Sequence, residues 1–124
     1  MDMAEFNSFQ GLQLPNGFII VSVEFALEPL VDAVGRAALA KTQIIGREFY
    51  LTILAGLSDK EKSVTLYHEI LEAMTIASSR VPAVVQDFNE GDFEQAAYEA
   101  HDRFGTASPE SVGAMLQFYG FREE

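Results

Sequence analysis

The chain has no cysteine, few basic residues and no long apolar run, and each of these shortages excludes a class of protein. Without cysteine there is neither a disulfide framework nor a thiolate metal site, so any metal must be held by nitrogen and oxygen atoms. Only 8 lysine and arginine residues stand against 19 aspartate and glutamate residues. Because phosphate groups are bound by clusters of basic side chains, we expect no nucleic acid partner and no anionic membrane partner.

The apolar runs are too short for a membrane protein. The run FIIVSV is far below the roughly 20 residues that a membrane-spanning helix requires, and the N-terminus carries no positive region of the kind that opens a signal peptide. We therefore expect a cytoplasmic protein. Its 124 residues, of which 48% are apolar, predict one domain over residues 1–124, and the apolar side chains near the C-terminus would also allow a homo-oligomer.

Two segments have the residue types of buried strands. Phe18–Phe25 (FIIVSVEF) and residues 47–54 (REFYLTIL) are rich in β-branched and aromatic side chains, which pack well on a pleated sheet. Residues 1–17 show no clear period and end in the turn signal PNG, so a loosely ordered lead-in is expected there.

The segment between the two predicted strands is ambiguous. Pro29 suits the first position of a helix, and the apolar spacing that follows would extend that helix to about Lys41. Gly35 weakens the helical interpretation, and part of residues 37–46 could instead form another strand.

Three later segments carry the start signals of helices. Ser58 and Glu61 form a capping box, which predicts a central helix that runs to about Ser79. The other two helices are predicted at residues 92–104, with Asp92 as the N-cap, and from Ser108 onward, with Pro109 at the first helical position. Strands followed by helices predict an α+β fold, in which the helices pack on one side of a small β-sheet.

The central helix is apolar on most of its surface, and after its first turn the polar residues other than Glu69 and Ser78 lie in one seam. His68 and Glu72 lie one turn apart in this seam, and Glu69 is turned about 100° away from His68. In one interpretation the seam is the strip of a buried helix that meets solvent, and His68 and Glu72 form an ordinary pair. In the other the seam is the wall of a cleft, where His68 and Glu72 share a divalent cation and Glu69 holds a water molecule.

The stretch SVTLYHEILEAMTIA resembles the active-site helix of the zincin metallopeptidases, which carries the motif HExxH after a sheet strand. His68 matches the first zinc ligand, Glu69 the general base and Ala73 the small residue after the motif, and REFYLTILAGLSDKEK resembles the strand and connection that precede it. Glu72 stands in place of the second histidine, and its charge would make a bound metal a weaker Lewis acid. The resemblance implies a minimal zincin-like core and a site for Zn²⁺ or another divalent metal.

A zincin site takes a third protein ligand from outside the motif helix. His101, on the helix at residues 92–104, is the preferred candidate, because Glu94 would place a second carboxylate on the ion. Glu94 is the substitute, and it resembles the glutamate ligand of one zincin branch. Tyr98 could donate a hydrogen bond to a developing oxyanion, or pack its ring and leave its hydroxyl in water. His101 could equally be a half-buried histidine bonded to Glu94 or Glu72 without any metal.

The sequence thus predicts a divalent-metal-binding, zincin-like protein that acts as a metal-dependent hydrolase on a peptide or a small molecule. The predicted ligands are His68, Glu72 and His101 or Glu94, with Glu69 as the catalytic base and Tyr98 as a catalytic donor. The alternative is a non-catalytic interaction module that keeps the fold without the metal and docks a basic partner. Other chemistries have less support, because the sequence contains neither a P-loop nor a GxSxG motif.

Overall fold

The computed structural model of the chain describes residues 8–31 and 34–121. Within them the backbone forms six β-strands and three α-helices. The strands are β1 (Leu12–Gln13), β2 (Ile19–Ala26), β3 (Leu30–Val31), β4 (Ala37–Ala38), β5 (Ala40–Ile45) and β6 (Glu48–Leu54). The helices are α1 (Asp59–Ala77), α2 (Glu90–Phe104) and α3 (Pro109–Phe118).

The larger sheet contains four strands in the order β1-β2-β6-β5, and β3 and β4 form a separate two-stranded sheet. The two central strands, β2 and β6, are parallel, whereas β5 and β6 form an antiparallel hairpin that turns at Gly46. Gly46 has a φ of 61°, a conformation that glycine adopts without strain. This hairpin leaves β5 at the edge of the sheet, beside α1.

One face of the sheet is covered by helices. On β6, Phe49, Leu51 and Ile53 are at most 1% exposed and join the core, whereas Tyr50 and Thr52, which point to the opposite face, are only half-buried. The core is completed by the apolar side chains of α1, several of which are fully buried: Leu66, Tyr67, Ile70, Leu71 and Met74. The predicted α+β fold is confirmed.

The structure confirms the strands predicted at residues 18–25 and 47–54, within one residue at either end. The helix predicted from Pro29 to Lys41 is wrong, because β3, β4 and the start of β5 lie in this range. The alternative of a strand within residues 37–46 is confirmed, because β4 and β5 lie there. Val34 is 73% exposed, so the apolar spacing that suggested a helix has no surface to pack against. Gly35, with a φ of 84°, makes the turn between β3 and β4.

The expected lead-in differs from the structure where it can be compared. Phe9 and Leu14 are 1% and 3% exposed and belong to the core, and β1 pairs with β2. Within residues 8–17, Phe9 and Leu14 are therefore packed in the core and Leu12 packs against it. Residues 1–7 of the predicted lead-in lie outside the described residues.

The helix ends follow local hydrogen-bonding signals. Ser58 caps α1 in the predicted capping box with Glu61, and Ser108 caps α3. α2 begins two residues earlier than predicted, because Asn89 rather than Asp92 is its N-cap and Asp92 completes the capping box from the third helical position. Across residues 8–31 and 34–121, none of the helices is long and apolar enough to cross a membrane.

Leu51 offers a direct test of the core. Replacing Leu51 by Ala should lower the free energy of unfolding by about 2–5 kcal/mol, since the side chain is 1% exposed and its removal leaves a cavity. The matched control is Leu27→Ala, at a side chain that is 92% exposed, where a change within about 0.5 kcal/mol is expected. Urea unfolding followed by circular dichroism measures both, and equal losses would contradict this description of the core.

Candidate metal centre

Three side chains near the middle of α1 form a cluster. His68, Glu69 and Glu72 each offer one ligand atom, and these atoms lie within 4.8 Å of one another. The cluster arises from helix geometry, because residues one turn apart lie on the same face of a helix. All three side chains are half-buried, so the group is accessible to an ion but not freely solvated. These residues could hold a metal ion.

The N-terminus of α2 brings a third carboxylate to the same histidine. His68 Nε2 lies 3.3 Å from Glu72 Oε2 and 3.4 Å from Glu90 Oε2, so two carboxylates from two helices face one ring nitrogen. The His68 ring is held by stacking on Phe93, with ring centroids 6.2 Å apart. The Glu90 side chain is 78% exposed, whereas those of His68 and Glu72 are 20% and 26% exposed. Glu90 therefore closes the cluster from its solvent side.

Glu69 has a different neighbour. Thr42 Oγ1, on β5, donates a hydrogen bond of 2.8 Å to Glu69 Oε1. Burial raises the pKa of the Glu69 carboxyl above its ordinary value, while the hydrogen bond from Thr42 and the charge of His68 oppose that rise. Glu69 is thus a carboxylate with one oxygen tied to the sheet and with a greater proton affinity than an exposed glutamate.

The carboxylates dominate the electrostatics of His68. Burial disfavours the charged imidazole, but the hydrogen bond to Glu72 and the charges of Glu69, Glu72 and Glu90 outweigh it and raise the pKa of His68 above its ordinary value. The cluster therefore favours a positive charge at its centre.

Glu72 and Glu90 both approach His68 Nε2, and each affects the pKa of the other. The hydrogen bond from His68 lowers the pKa of Glu72, whereas the hydrogen bond with Glu72, burial and the charge of Glu72 raise the pKa of Glu90. Like charges held this close repel each other, and a proton or a cation between them removes that repulsion.

The cluster lies in an open cleft with a volume of about 1410 Å³. α1 and α2 form one side of the cleft, and β5 with the segment from Arg36 to Leu39 forms the other. Six glutamates line it, against Arg36 and Lys41 as the basic residues. The residues of the polar seam therefore line a cleft, and His68 and Glu72 also form the i, i+4 pair of the first interpretation; that they share a cation stays a prediction.

His101, the preferred third ligand, does not reach the cluster. Its Nδ1 lies 2.8 Å from Ser63 Oγ, and Ser63 Oγ also accepts a hydrogen bond of 2.8 Å from the backbone N–H of Ala107. α2 runs antiparallel to α1, so its C-terminal end, where His101 lies, packs beside Ser63. Ser63 precedes His68 by five residues, or about 7.5 Å along the helix axis. His101 is half-buried, and its hydrogen-bond partner is Ser63 instead of Glu94 or Glu72.

Glu94 and Tyr98 line the cleft, but neither belongs to the cluster. They follow Glu90 at intervals of four residues, so all three residues share one face of α2. The Tyr98 ring is 42% exposed, and the Lys60 ammonium lies 5.8 Å from its centroid. This placement fits the interpretation in which the ring packs and the hydroxyl meets solvent.

Sequence reasoning missed Glu90 and Thr42. Glu90 could have been found, because Asn89 and Asp92 have the spacing of a capping box, which would have started α2 at Glu90 instead of after Asp92. Thr42 could not have been found from local pattern, because its contact with Glu69 joins residues that are 27 positions apart.

No protein family, curated protein or solved structure matches this chain. The resemblance of the α1 motif to the zincins therefore stays a prediction from the sequence. The function of the cluster has to be inferred from the geometry and charge of its own residues.

Ser63 tests the structural role assigned to His101. Replacing Ser63 by Ala should lower the free energy of unfolding by about 1–3 kcal/mol, because the buried backbone N–H of Ala107 and the ring of His101 both lose their partner. Ser79→Ala, at an exposed serine just after the same helix, is the control and should change it by less than about 0.5 kcal/mol. Chemical unfolding measures the difference, and an unchanged stability in Ser63→Ala would contradict this role.

Proposed function

We propose that the chain binds a divalent metal ion between α1 and the first turn of α2 and uses it in a hydrolytic reaction. The observation that carries the proposal is the approach of two carboxylate oxygens, from Glu72 and Glu90, to within 3.3 Å and 3.4 Å of His68 Nε2. These three residues would be the ligands. Each is held by a helix, and the group opens onto a cleft large enough for a substrate.

The charge of the cluster supports an ion at this position. The half-buried carboxylates of Glu69 and Glu72 lie beside the His68 imidazole, where mutual repulsion is screened less than at an exposed surface, and the exposed Glu90 adds a third negative charge from the solvent side. A divalent cation would replace this repulsion by attraction to Glu72 and Glu90 and would use the lone pair of His68. The donors therefore fit a cation without further side chains from the described residues.

The donor types narrow the choice of metal. Imidazole nitrogen suits Zn²⁺ and other late transition metals, whereas carboxylate oxygen also suits Mn²⁺ and Mg²⁺. One imidazole combined with two carboxylates makes Zn²⁺ the first candidate and Mn²⁺ the second. Three protein ligands would leave a coordination position open, as in catalytic zinc sites.

Glu69 is the proposed general base. Its carboxylate lies within the cluster, and the raised pKa described above brings its proton affinity closer to that of a base that works near neutral pH. One oxygen is held by Thr42, which leaves the other to accept a proton from a water molecule in the cleft. A bound divalent ion would supply Lewis acidity to the reaction.

The proposal keeps part of the zincin resemblance and alters the rest. His68 and Glu69 retain the roles that the motif implies, Glu72 takes the place of the second histidine, and Glu90 takes the role that was expected of His101. The proposed reaction class is hydrolysis of a peptide or of a small molecule. If this protein binds no metal, the alternative function is the non-catalytic interaction module that docks a basic partner.

Metal titration tests the ligand set. Protein purified without chelator should bind about one equivalent of Zn²⁺, and His68→Ala should abolish binding because it removes the nitrogen donor. Glu90→Gln should weaken binding by about 10–100-fold, whereas Glu94→Gln, one turn further along the same face of α2, is the matched control and should bind as the wild type does. Isothermal titration calorimetry gives the dissociation constants.

His101→Ala provides a second control for the same titration. It should destabilise the fold slightly but leave the dissociation constant for Zn²⁺ unchanged, because His101 contacts Ser63 and not the cluster. At a free Zn²⁺ concentration 100 times the dissociation constant, the wild type should gain about 2.7 kcal/mol in unfolding free energy. Less than stoichiometric binding of both Zn²⁺ and Mn²⁺ by the wild type would remove the basis of the hydrolase proposal.

Glu69→Gln separates binding from chemistry. The variant should bind Zn²⁺ with an affinity near that of the wild type, while kcat should fall by about 10²–10⁴-fold, the usual contribution of a general base. The measurement uses the Zn²⁺-loaded protein with a pool of quenched fluorescent peptides and with p-nitrophenyl acetate. If Glu69→Gln loses metal as completely as His68→Ala does, Glu69 is a ligand and the division of roles is wrong.

A further inference from the structure

Thr42 connects the sheet to the cluster. Its hydroxyl lies 2.8 Å from Glu69 Oε1, and its position opposite Leu51 in the β5–β6 pairing turns its side chain to the face of the sheet that α1 covers. The side chain is β-branched, so its rotation about χ1 is restricted, and its backbone is held by pairing with β6. The hydroxyl is therefore a donor in a fixed position.

The cluster contains more carboxylates than the proposed ion needs. Glu69, Glu72 and Glu90 all lie near His68, and the distances within the cluster would permit Glu69 to act as a ligand. A carboxylate cannot serve at the same time as a ligand and as a free base. If an ion binds, some feature of the fold must therefore determine which of the three carboxylates is not a ligand.

We propose that Thr42 is a positioning residue that keeps Glu69 out of the ligand set, so that Glu72 and Glu90 bind the ion and Glu69 remains free as a base. This inference rests on the proposed function. Glu69 leaves α1 about 100° around the helix from His68, on the side that faces β5, whereas Glu72 leaves it only about 40° away. The hydrogen bond from Thr42 holds the carboxylate on the β5 side, and bonds to ionised groups are among the stronger hydrogen bonds in proteins.

The test uses Co²⁺, whose visible absorption is strong in four-coordinate sites and weaker when further ligands bind. Thr42→Val keeps the shape of the side chain and removes its hydroxyl, so Glu69 is released to join the ion. The Co²⁺ absorption should fall, and the dissociation constant should tighten by about tenfold, the factor that corresponds to one lost charge-assisted hydrogen bond. Thr42→Ser retains a hydroxyl and should restore the wild-type spectrum and affinity.

A second background separates positioning from general damage to the fold. In Glu69→Gln protein, adding Thr42→Val should change neither the Co²⁺ spectrum nor the affinity, because the carboxylate that would be released is gone. Thr42→Ala serves as a further variant if Thr42→Val does not fold, and circular dichroism monitors the fold of each protein. A role in stability alone would move the unfolding transition but would leave the absorption of bound Co²⁺ unchanged.

The outcomes distinguish this inference from the proposed function. If wild type and variants all fail to bind Co²⁺ and Zn²⁺, the metal site itself is disproved, and the role of Thr42 with it. If every variant binds Co²⁺ with the wild-type spectrum and affinity, the metal site stands and the positioning role of Thr42 is overturned.

Discussion

The candidate site depends on the register of α2 against α1, which two contacts mark. Ser63 meets His101 near the N-terminal end of α1, and His68 meets Glu90 further along it. From Ser63 to His68 the chain advances along α1, whereas from His101 to Glu90 it goes back along α2, so the two helices are antiparallel. The contact between Ser63 and His101 is therefore linked to the position of Glu90 beside His68. A shift of one turn, about 5.4 Å, would carry Glu90 away from His68. The site is therefore a product of helix packing as much as of the α1 motif.

The elements with strong local signals were predictable. The capping box at Ser58, the helix start at Ser108 and Pro109, and the apolar strands before α1 each follow from residues that lie within a few positions of one another. Residues 29–41 were not predictable in the same way. Apolar residues at helical spacing stabilise a helix only where another surface buries them. Here β5 pairs with β6 instead, and that pairing depends on the fold around it.

The site was predictable to the extent that it lies on a single helix. The convergence of His68, Glu69 and Glu72 follows from the helical repeat alone. Its other members come from α2 and β5, and their approach depends on packing that no local pattern encodes. His101 was chosen for the chemistry of its ring, but the helix that carries it packs that ring beside Ser63. The residue type was a suitable ligand, and the register between the helices prevented it from becoming one.

The presence of Glu72 where a zincin has histidine shifts the chemical demands on the other residues. With Glu72 and Glu90 as ligands, the two carboxylates would cancel the charge of a divalent ion, which weakens it as a Lewis acid. Hydrolysis would then depend more on the base. Burial gives Glu69 a raised pKa and thus a stronger attraction for a proton, and Thr42 stabilises its ionised form by a hydrogen bond. The edge strand β5 therefore contributes to the proposed chemistry through Glu69, although it supplies no ligand.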